Sequence, residues 1–171
     1  MNGWRFAFSA GIGLDAEAVR RVDELGRSDD GRRPGDLAFV RAFARMLFER
    51  RGRLEPALEV VGYGRAALVL VANVNPYTFL RAFAVQVAPD AVFEAGLDFL
   101  APVSLTPRTL PSLLYALARG RPARNALRDH DVDRIEVRCD VPLPLQADGE
   151  DLGDVGEAVF EAEREAVSVL V

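Results

Sequence analysis

The chain contains no lysine, so all 21 of its basic residues are arginine. It has no glycine-rich loop that ends in Gly-Lys-Ser or Gly-Lys-Thr, the loop that cradles phosphates at many ATP sites. The stretch "FSAGIGLDAE" (8–17) is rich in glycine, but it does not have the G-x-G-x-x-G spacing of a dinucleotide site either. An ATP site of the usual kinds therefore has no candidate in these 171 residues.

Cysteine and histidine occur once each, as Cys139 and His130. A single cysteine excludes an internal disulfide and favours a reducing, cytoplasmic environment. One cysteine and one histidine are also too few to make a zinc site of the common kinds. Cys139 lies at an inward-facing position of "IEVRCDV", which predicts a buried and unreactive thiol, and the polar "RDHDVD" predicts an exposed loop around His130.

No apolar run reaches the roughly 18 residues that a membrane-spanning helix needs, and the first residues lack the basic and apolar regions of a secretory signal. These absences predict a soluble protein. The net charge of −5 and the pI near 5.0 argue against a nucleic-acid partner. Arginines cluster in 45–53 and 118–128, which favours solvated helix ends and leaves an anionic membrane surface as the alternative.

Half of the residues are hydrophobic and 27% are charged, a normal balance for a globular protein, and the length suits one domain over 1–171. Apolar residues at helical spacing predict a helix over 14–25. A second helix is predicted over 36–51, with Asp36 as its cap and Gly52 as its stop. A third begins at Thr106 or Thr109 and stops at Gly120. The core face of the second helix is predicted to consist of Leu37, Val40, Phe43, Ala44 and Leu47.

The remaining segments have the patterns of strands, at 4–13, twice within 54–75 around "GYGR", twice within 84–105, and from 132 to the end. The second strand of 54–75 is predicted as the continuous buried run "AALVLVANV", and the composition of 26–35 predicts a loop. The elements do not alternate as βαβ units, which argues against a parallel sheet. The prediction is an α+β, mainly β fold, an antiparallel β-sandwich or barrel with two or three flanking helices.

The stretch "LQADGEDLGD" (145–154) places four carboxylates around one Asp-Gly step. Asp148-Gly149 is a strong signal for a two-residue hairpin turn, because such a turn needs positive φ angles. A hairpin tip alone explains the dipeptide. The massed negative charge points instead to a base, a metal or a cationic partner, because close like charges repel and raise at least one pKa.

A buried strand ends in the polar residues Asn73 and Asn75 of "VANVNPYTF" (71–79). A polar strand terminus accounts for both asparagines structurally. The alternative is that their side chains line a binding cleft, and the pattern leaves both interpretations open.

Five blocks together resemble the C-terminal domain of bacterial diacylglycerol and related lipid kinases, a group that includes the sphingosine kinases. In order, they are "RFAFSAGIGLDAEAVRRVD", "DLAFVRAFARML", "ALVLVANVNPYT", "VAPDAVFEAGLDFLAP" and "LQADGEDLGD" followed by "VF". The resemblance runs over nearly the whole chain. It implies a two-domain lipid kinase, in which a β-sandwich faces an ATP-binding domain with a Gly-Gly-Asp-Gly-Thr motif.

The resemblance also implies roles for individual residues. The D-G-E segment makes Glu150 the general base for a lipid hydroxyl, with Asp148 beside it, and Asp15 the contact to the lipid head group. The family's P-D-A-x-x-x-D-G segment helps to hold a structural Mg²⁺. This chain reads "PDAVFEAG", with Ala95 at the expected acidic ligand and Glu94 one residue earlier. Glu94 is therefore the candidate ligand of a site that departs from the family pattern.

The Gly-Gly-Asp-Gly-Thr motif does not occur in the sequence. The chain is thus expected to be either half of a longer kinase or a freestanding domain that phosphorylates nothing by itself. The first hypothesis is ATP-dependent phosphorylation of a lipid hydroxyl, such as that of diacylglycerol, with a nucleotide-binding domain of the same or another chain. The alternative is a non-catalytic module that binds lipid or protein. The expected location is the cytoplasm, with or without contact to the membrane surface.

Overall fold

The computed structural model describes residues 1, 3–26, 34–80, 83–164 and 166. Most of the predicted loop over 26–35, and the end of the predicted terminal strand, lie outside these residues. Three helices are described: α1 (Leu14–Asp23), α2 (Asp36–Glu49) and α3 (Leu110–Arg119). The strands are β1 (Ser9–Ile12), β2 (Leu58–Val60), β3 (Gly64–Ala66), β4 (Val69–Ala72), β5 (Thr78–Leu80), β6 (Phe83–Val85), β7 (Leu97–Pro102), β8 (Ala126–Val132), β9 (Arg134–Ala147) and β10 (Glu150–Glu161).

Most strands form one large antiparallel sheet in the order β3-β2-β9-β1-β4-β7-β8, and β10 pairs with β9. The sheet is nearly closed into a barrel. Its two ends approach each other where the hydroxyl of Tyr63, just before β3, donates a hydrogen bond to Asp129 on β8 at 2.6 Å. Strands β5 and β6 form a separate hairpin. The predicted α+β, mainly β class with two or three flanking helices is confirmed, and three helices are described.

Two hydrophobic clusters lie on opposite sides of the central strands. Val69 and Val71 of β4 belong to the cluster formed mainly by strands, whereas Leu70 and Ala72 belong to the cluster that includes the helices. Successive side chains of a strand point to opposite faces, so β4 is buried on both. This double burial explains why the sequence there is apolar without interruption.

The continuous strand predicted over the run 66–74 is wrong. Strand β3 ends at Ala66 and pairs with β2, whereas β4 begins at Val69 and pairs with β1 and β7. The chain changes partners between them, and the N–H of Ala67 donates to the carbonyl of Pro102 at 2.8 Å. An unbroken apolar run does not reveal such a change of partner.

His130 is exposed as predicted, but it lies within β8 and not in a loop. The polar sequence around it belongs to a strand that pairs with β7 and has most of its residues exposed. Cys139 is half-buried, and burial raises the pKa of its thiol to about 11. The predicted unreactive thiol is consistent with that shift, because the thiolate is the reactive form.

Helix α2 differs from its prediction in two respects. Gly35 takes the cap position, so Asp36 is the first helical residue. The face towards the core consists of Met46 together with the partly buried Phe43 and Leu47. Leu37, Val40 and Ala44 were predicted to face the core, but they are exposed. The helix is apolar on more than one side, and periodicity alone therefore did not identify the buried side.

None of the described helices has the length and apolar character that crossing a membrane would require.

Candidate active site

Strand β1 lies between β9 and β4 and leads directly into α1. Gly11 of β1 stands opposite Gln146 of β9. A Cβ atom on Gly11 would lie 2.6 Å from the carboxylate oxygen Oδ2 of Asp15 and 3.1 Å from the hydroxyl of Tyr77. Only glycine leaves the space that these two groups occupy. The "GIG" of the sequence thus reflects close approach of side chains and not a phosphate loop.

Asp15 lies in the first turn of α1 at the centre of a small polar network. Its Oδ2 accepts hydrogen bonds from the hydroxyl of Tyr77 at 2.7 Å and from Nε2 of Gln146 at 2.8 Å. The hydroxyl of Tyr77 also lies 3.2 Å from the carbonyl oxygen of Ala10 and 3.0 Å from Nε2 of Gln146. Tyr77 and Gln146 are buried, while Asp15 keeps partial contact with solvent. The network therefore lies mostly in the protein interior and comes nearest to the surface at Asp15.

Burial raises the pKa of the Asp15 carboxyl, and the hydrogen bonds from Tyr77 and Gln146 oppose the rise without cancelling it. The pKa of the Tyr77 hydroxyl lies well above its usual range because of burial and the adjacent Asp15 charge. Tyr77 consequently stays protonated and donates. Asp15 is a carboxyl whose charged form is less favourable than in water, a property typical of functional sites.

Gln146 connects this network to the hairpin between β9 and β10. Its Oε1 atom accepts a hydrogen bond from the backbone N–H of Gly149 at 3.0 Å. Asp148 and Gly149 form the predicted two-residue turn, with φ angles of 48° and 80°. Glu150 follows directly and pairs with Ala147 as the first residue of β10. Asp15 and the hairpin tip, far apart in sequence, are therefore joined through one buried side chain.

The carboxylate of Asp148 binds backbone N–H groups of the segment before β1. It accepts hydrogen bonds from the N–H groups of Ala7, Phe8 and Ser9 at 2.7, 2.8 and 3.0 Å. The N–H of Asp148 in turn donates to the carbonyl oxygen of Ser9 at 2.8 Å. Asp148 thereby attaches the hairpin tip to the segment that enters β1.

Two further carboxylates of the acidic stretch are paired with one arginine on α1. Arg20 binds Asp151 through two hydrogen bonds at 2.8 and 3.0 Å and lies 2.7 Å from Asp154. The Arg20 guanidinium holds the pKa of the Asp151 carboxyl below its usual range. At Asp151, the lowering of the pKa by Arg20 thus outweighs the rise that crowded negative charge was expected to cause.

Glu150 follows Gly149 at the hairpin tip, and its side chain is exposed. The acidic cluster is therefore a hairpin turn, and it places the exposed Glu150 next to the turn that Gln146 joins to Asp15. The predicted hairpin turn is confirmed, and the functional role of Glu150 stays a prediction.

Asn73 contributes to the same corner of the structure. Its side-chain Nδ2 donates to the carbonyl oxygen of Ala7 at 2.9 Å, and its backbone N–H donates to the carbonyl oxygen of Phe8 at 2.9 Å. Asn73 and Asp148 thus hold the segment 7–9 from two sides. Asn75 is partly buried, and no described residue donates a hydrogen bond to its buried Oδ1. An unsatisfied buried acceptor is costly, so this atom is suited to a ligand or water donor.

Glu94 lies exposed on the loop between β6 and β7. Its neighbour Phe93 packs against Phe8 edge-on, with ring centroids 6.1 Å apart, so the loop lies near the segment 7–9. Among the described residues, no three Asp, Glu, His or Cys side chains come together as a metal-binding group. Mg²⁺ prefers octahedral oxygen ligands, and one exposed carboxylate does not fit that requirement without additional donors. Magnesium at Glu94 stays a prediction.

Sequence reasoning missed three residues that organise the site: Tyr77, Gln146 and Arg20. Tyr77 follows the Asn-Pro step in "NPYTF", and Gln146 is the polar residue inside the apolar "PLPLQA". A single polar residue at a buried strand position is a usable signal, because such a group needs partners. Arg20 gave no signal, since arginine near the end of an amphipathic helix is ordinary.

No family model matches the chain, and no curated protein is detectably similar to it. Solved structures share its fold. One is described as "a putative diacylglycerol kinase" from Bacillus anthracis str. Sterne, with a TM-score of 0.57 and 15% sequence identity over 94% of this chain. Another from the same organism, described as a diacylglycerol kinase, has a TM-score of 0.51 and 10% identity over 94% of this chain. The chain covers 52% and 48% of these two structures. The fold expected from the resemblance is therefore confirmed.

Proposed function

We propose that this chain is the acceptor-side half of a lipid kinase and helps to transfer the γ-phosphoryl group of ATP to a lipid hydroxyl. The observation that carries the proposal is the Gln146 bridge, which joins the Asp15 carboxyl to the hairpin tip that bears Glu150. In such a site, Glu150 would accept a proton and Asp15 would bind the lipid acceptor. The fold shared with proteins described as diacylglycerol kinases supports the choice of reaction.

In the proposed step, the oxygen of the lipid alcohol attacks the γ-phosphorus of ATP. The bond between that phosphorus and the bridging oxygen of the β-phosphate breaks, and ADP leaves with the electron pair. Glu150 accepts the proton of the alcohol, so the acceptor becomes a phosphate monoester. A carboxylate at the exposed tip suits this role, because phosphoryl transfer depends on orienting the nucleophile and receiving its proton.

Asp15 has the proposed role of binding the acceptor near its reacting hydroxyl. Its Oδ2 is occupied by Tyr77 and Gln146, and these fixed donors restrict the carboxyl group to one orientation. A carboxyl held in this way accepts a hydrogen bond from a substrate hydroxyl without losing rotamer freedom on binding. Asn75, whose buried Oδ1 has no donor among the described residues, would accept a second hydrogen bond from the lipid head group.

ATP would be bound by a nucleotide-binding domain of the same or another chain. The chain covers about half of the diacylglycerol kinase structures that share its fold. Magnesium would be supplied with the nucleotide, where it would neutralise charge on the phosphoryl oxygens. The roles proposed for Asp15 and Glu150 do not depend on a metal at Glu94.

The test begins with the native polypeptide, whose intact mass shows whether it exceeds the 18.7 kDa of this chain. The native protein, with its nucleotide-binding domain, is then assayed with radiolabelled ATP and diacylglycerol in mixed micelles. Glu150→Gln keeps the size and exposure of the side chain and removes the base. We expect kcat to fall about 100-fold or more, since general-base catalysis contributes ~10²–10⁴-fold.

Glu59→Gln is the matched control, because Glu59 is an exposed glutamate on β2, away from the hairpin tip. It should leave kcat unchanged. Phosphorylation by the Glu150→Gln variant at nearly the original rate would overturn the role of Glu150. Asp15→Asn tests acceptor binding separately, and we expect its main effect on KM for the lipid.

The alternative is a non-catalytic module that binds lipid or protein. The structural partners of the acidic stretch favour it, because Asp148 binds backbone and Arg20 neutralises Asp151 and Asp154. A native mass of 18.7 kDa, lipid binding without phosphorylation, and indifference of that binding to Glu150→Gln would together support this alternative.

A further inference from the structure

The C-terminal end of α2 and the N-terminal end of α3 enclose an open groove of about 930 Å³. Its walls are mainly apolar and include Phe48, Leu47, Leu110, Pro111 and Leu114. Phe48 is 85% exposed and Leu114 is 49% exposed. Large apolar side chains concentrated in one exposed place mark an interaction surface more often than scattered ones do.

The groove continues along α2 as an apolar stripe. Leu37, Val40, Ala44 and Phe48 follow one another at spacings of three or four residues and are all exposed. Residues at this spacing share one side of a helix. The opposite side of α2 packs against the core through Met46. The stripe is therefore a second apolar face, which the fold does not need.

Charge is distributed very unevenly around this surface. The segments 37–54 and 103–128, which contain most of α2 and all of α3, hold ten of the 21 arginines. They hold only one of the 26 acidic residues, Glu49. The remainder of the chain is correspondingly acidic. A protein with a net charge of −5 thus presents a locally basic surface around its exposed apolar groove.

The arginines at the groove are exposed, and several are available for an external anion. Arg51 lines the groove itself, and Arg108 stands between two of its prolines. The ion pairs of the described residues do not include Arg108 or Arg119. Arg119 instead lies over the ring of Tyr115, 5.7 Å from its centroid, and Tyr115 is 54% exposed. By contrast, the sheet arginines Arg65 and Arg134 are paired with acids.

We propose that this α2–α3 face docks on an anionic lipid bilayer, with Phe48 and Leu114 entering the interface and the surrounding arginines contacting the phosphate head groups. Apolar anchors inside a cationic rim are the two features that interfacial binding requires. A nucleic acid would use the arginines but would leave the aliphatic groove in water. Docking needs neither ATP nor a second domain, so its test is independent of the proposed phosphorylation.

The first experiment is flotation of the 171-residue chain with extruded vesicles that contain no diacylglycerol. Vesicles of phosphatidylglycerol and phosphatidylcholine are compared with phosphatidylcholine alone, at low and high salt. We expect the chain to bind the anionic vesicles at least about tenfold more tightly than phosphatidylcholine alone, because each arginine near an anionic surface contributes ~1 kcal/mol of binding free energy. Binding should weaken in high salt, because salt screens this attraction. Equal partitioning into both vesicles, or none into either, would overturn the proposal.

Variants then locate the contact. Phe48→Ser should weaken vesicle binding about tenfold, the effect of withholding one large apolar side chain. Arg108→Glu combined with Arg119→Glu should weaken it about 25-fold or more. The matched controls are Trp4→Ser and Arg5→Glu, which change exposed residues of the N-terminal segment, and both should bind like the unaltered chain. Equal losses in controls and groove variants would show that binding does not use this face.

A fluorescence reporter distinguishes insertion from surface adsorption. Trp4 is the only tryptophan, so Trp4→Phe with Phe48→Trp moves the single emitter into the groove. We expect a blue shift and quenching by brominated lipid for this variant only. An unshifted spectrum on vesicle binding would contradict insertion of position 48. Binding that is competed by RNA without any shift would indicate a nucleic-acid surface instead.

Discussion

The hydroxyl of Tyr77 donates a hydrogen bond to the carboxylate of Asp15 at 2.7 Å, across 62 residues of sequence. Gln146 donates to the same oxygen from β9, so the residue just before β5 and a strand of the terminal hairpin share one acceptor at the start of α1. The candidate site is thus held by contacts between three separate parts of the chain.

Tyr77→Phe removes the hydroxyl from the network and keeps the ring in the core. We expect the free energy of unfolding to fall by ~2 kcal/mol, because a buried hydrogen bond to a charged group is lost. Urea denaturation measures the change. Tyr63→Phe is the control, since the bond from Tyr63 to Asp129 is exposed and should be worth less than ~1 kcal/mol. Equal losses for the two variants would contradict the role assigned to Tyr77.

Gly11→Ala places a methyl group 2.6 Å from the Oδ2 atom of Asp15. The carboxylate must move, so we expect a loss of ~1–3 kcal/mol in unfolding free energy from overpacking. In the kinase assay, this variant should raise KM for the lipid, as Asp15→Asn is expected to do. Gly156→Ala serves for comparison, since nothing lies within 4 Å of an added Cβ there, and its stability should stay within ~0.5 kcal/mol. If Gly11→Ala left the free energy of unfolding unchanged, the fold would not require the space beside Gly11.

Asp148→Ala leaves the N–H groups of Ala7, Phe8 and Ser9 without their acceptor. We expect it to lower the thermal midpoint and to cost ~2 kcal/mol, the value of charge-assisted hydrogen bonds at a turn. Asp148→Asn should cost less, because asparagine tolerates the observed φ of 48° and retains one acceptor oxygen. If alanine proved as stable as aspartate, the proposed attachment of the hairpin to β1 would be wrong.

The free energy of unfolding should depend on pH through Asp15, and comparison with Asp15→Asn isolates this contribution. Its pKa in the folded state is raised by burial above the unfolded value of ~3.9. The favourable contribution of the protonated carboxyl is therefore complete below pH ~4 and is lost as pH rises through the folded pKa. Urea titrations between pH 3.5 and pH 7 should show the unaltered chain losing stability relative to Asp15→Asn as pH rises. A constant difference would contradict the raised pKa.

The contribution of Asp151 to stability should have the opposite pH dependence to that of Asp15. Arg20 lowers its pKa in the folded state, so its contribution is present above the unfolded pKa of ~3.9 and disappears as pH falls through the folded value. Asp151→Asn is expected to destabilise the protein by ~1 kcal/mol at pH 7 and much less at pH 2.5. Asp133→Asn, an exposed control that is paired with Arg164, should change stability less at pH 7. A loss of equal size at both pH values would contradict the ion pair as its cause.

Much of the fold was predictable because local chemistry and tertiary structure agree. The helices α1 and α3 carry their apolar residues at helical spacing, and the positive φ angles of Asp148 and Gly149 confirm the turn that Asp-Gly predicts. The errors arose where burial on a second side mattered. Leu37 and Val40 fit a core-facing pattern but are exposed, and the run around Ala66 is divided between two strands with different partners.

The sequence by itself determined the mainly β class, the acidic hairpin and the uneven distribution of arginine, because composition, period and turn residues act over a few neighbouring positions. Only the tertiary structure decided which carboxylates have partners. Asp148 binds the backbone of residues 7–9, Asp151 binds Arg20, and Asp15 meets Tyr77 and Gln146. Such pairings depend on how β1, β4, β9 and α1 come together, and no local pattern records which distant donor a carboxylate will meet.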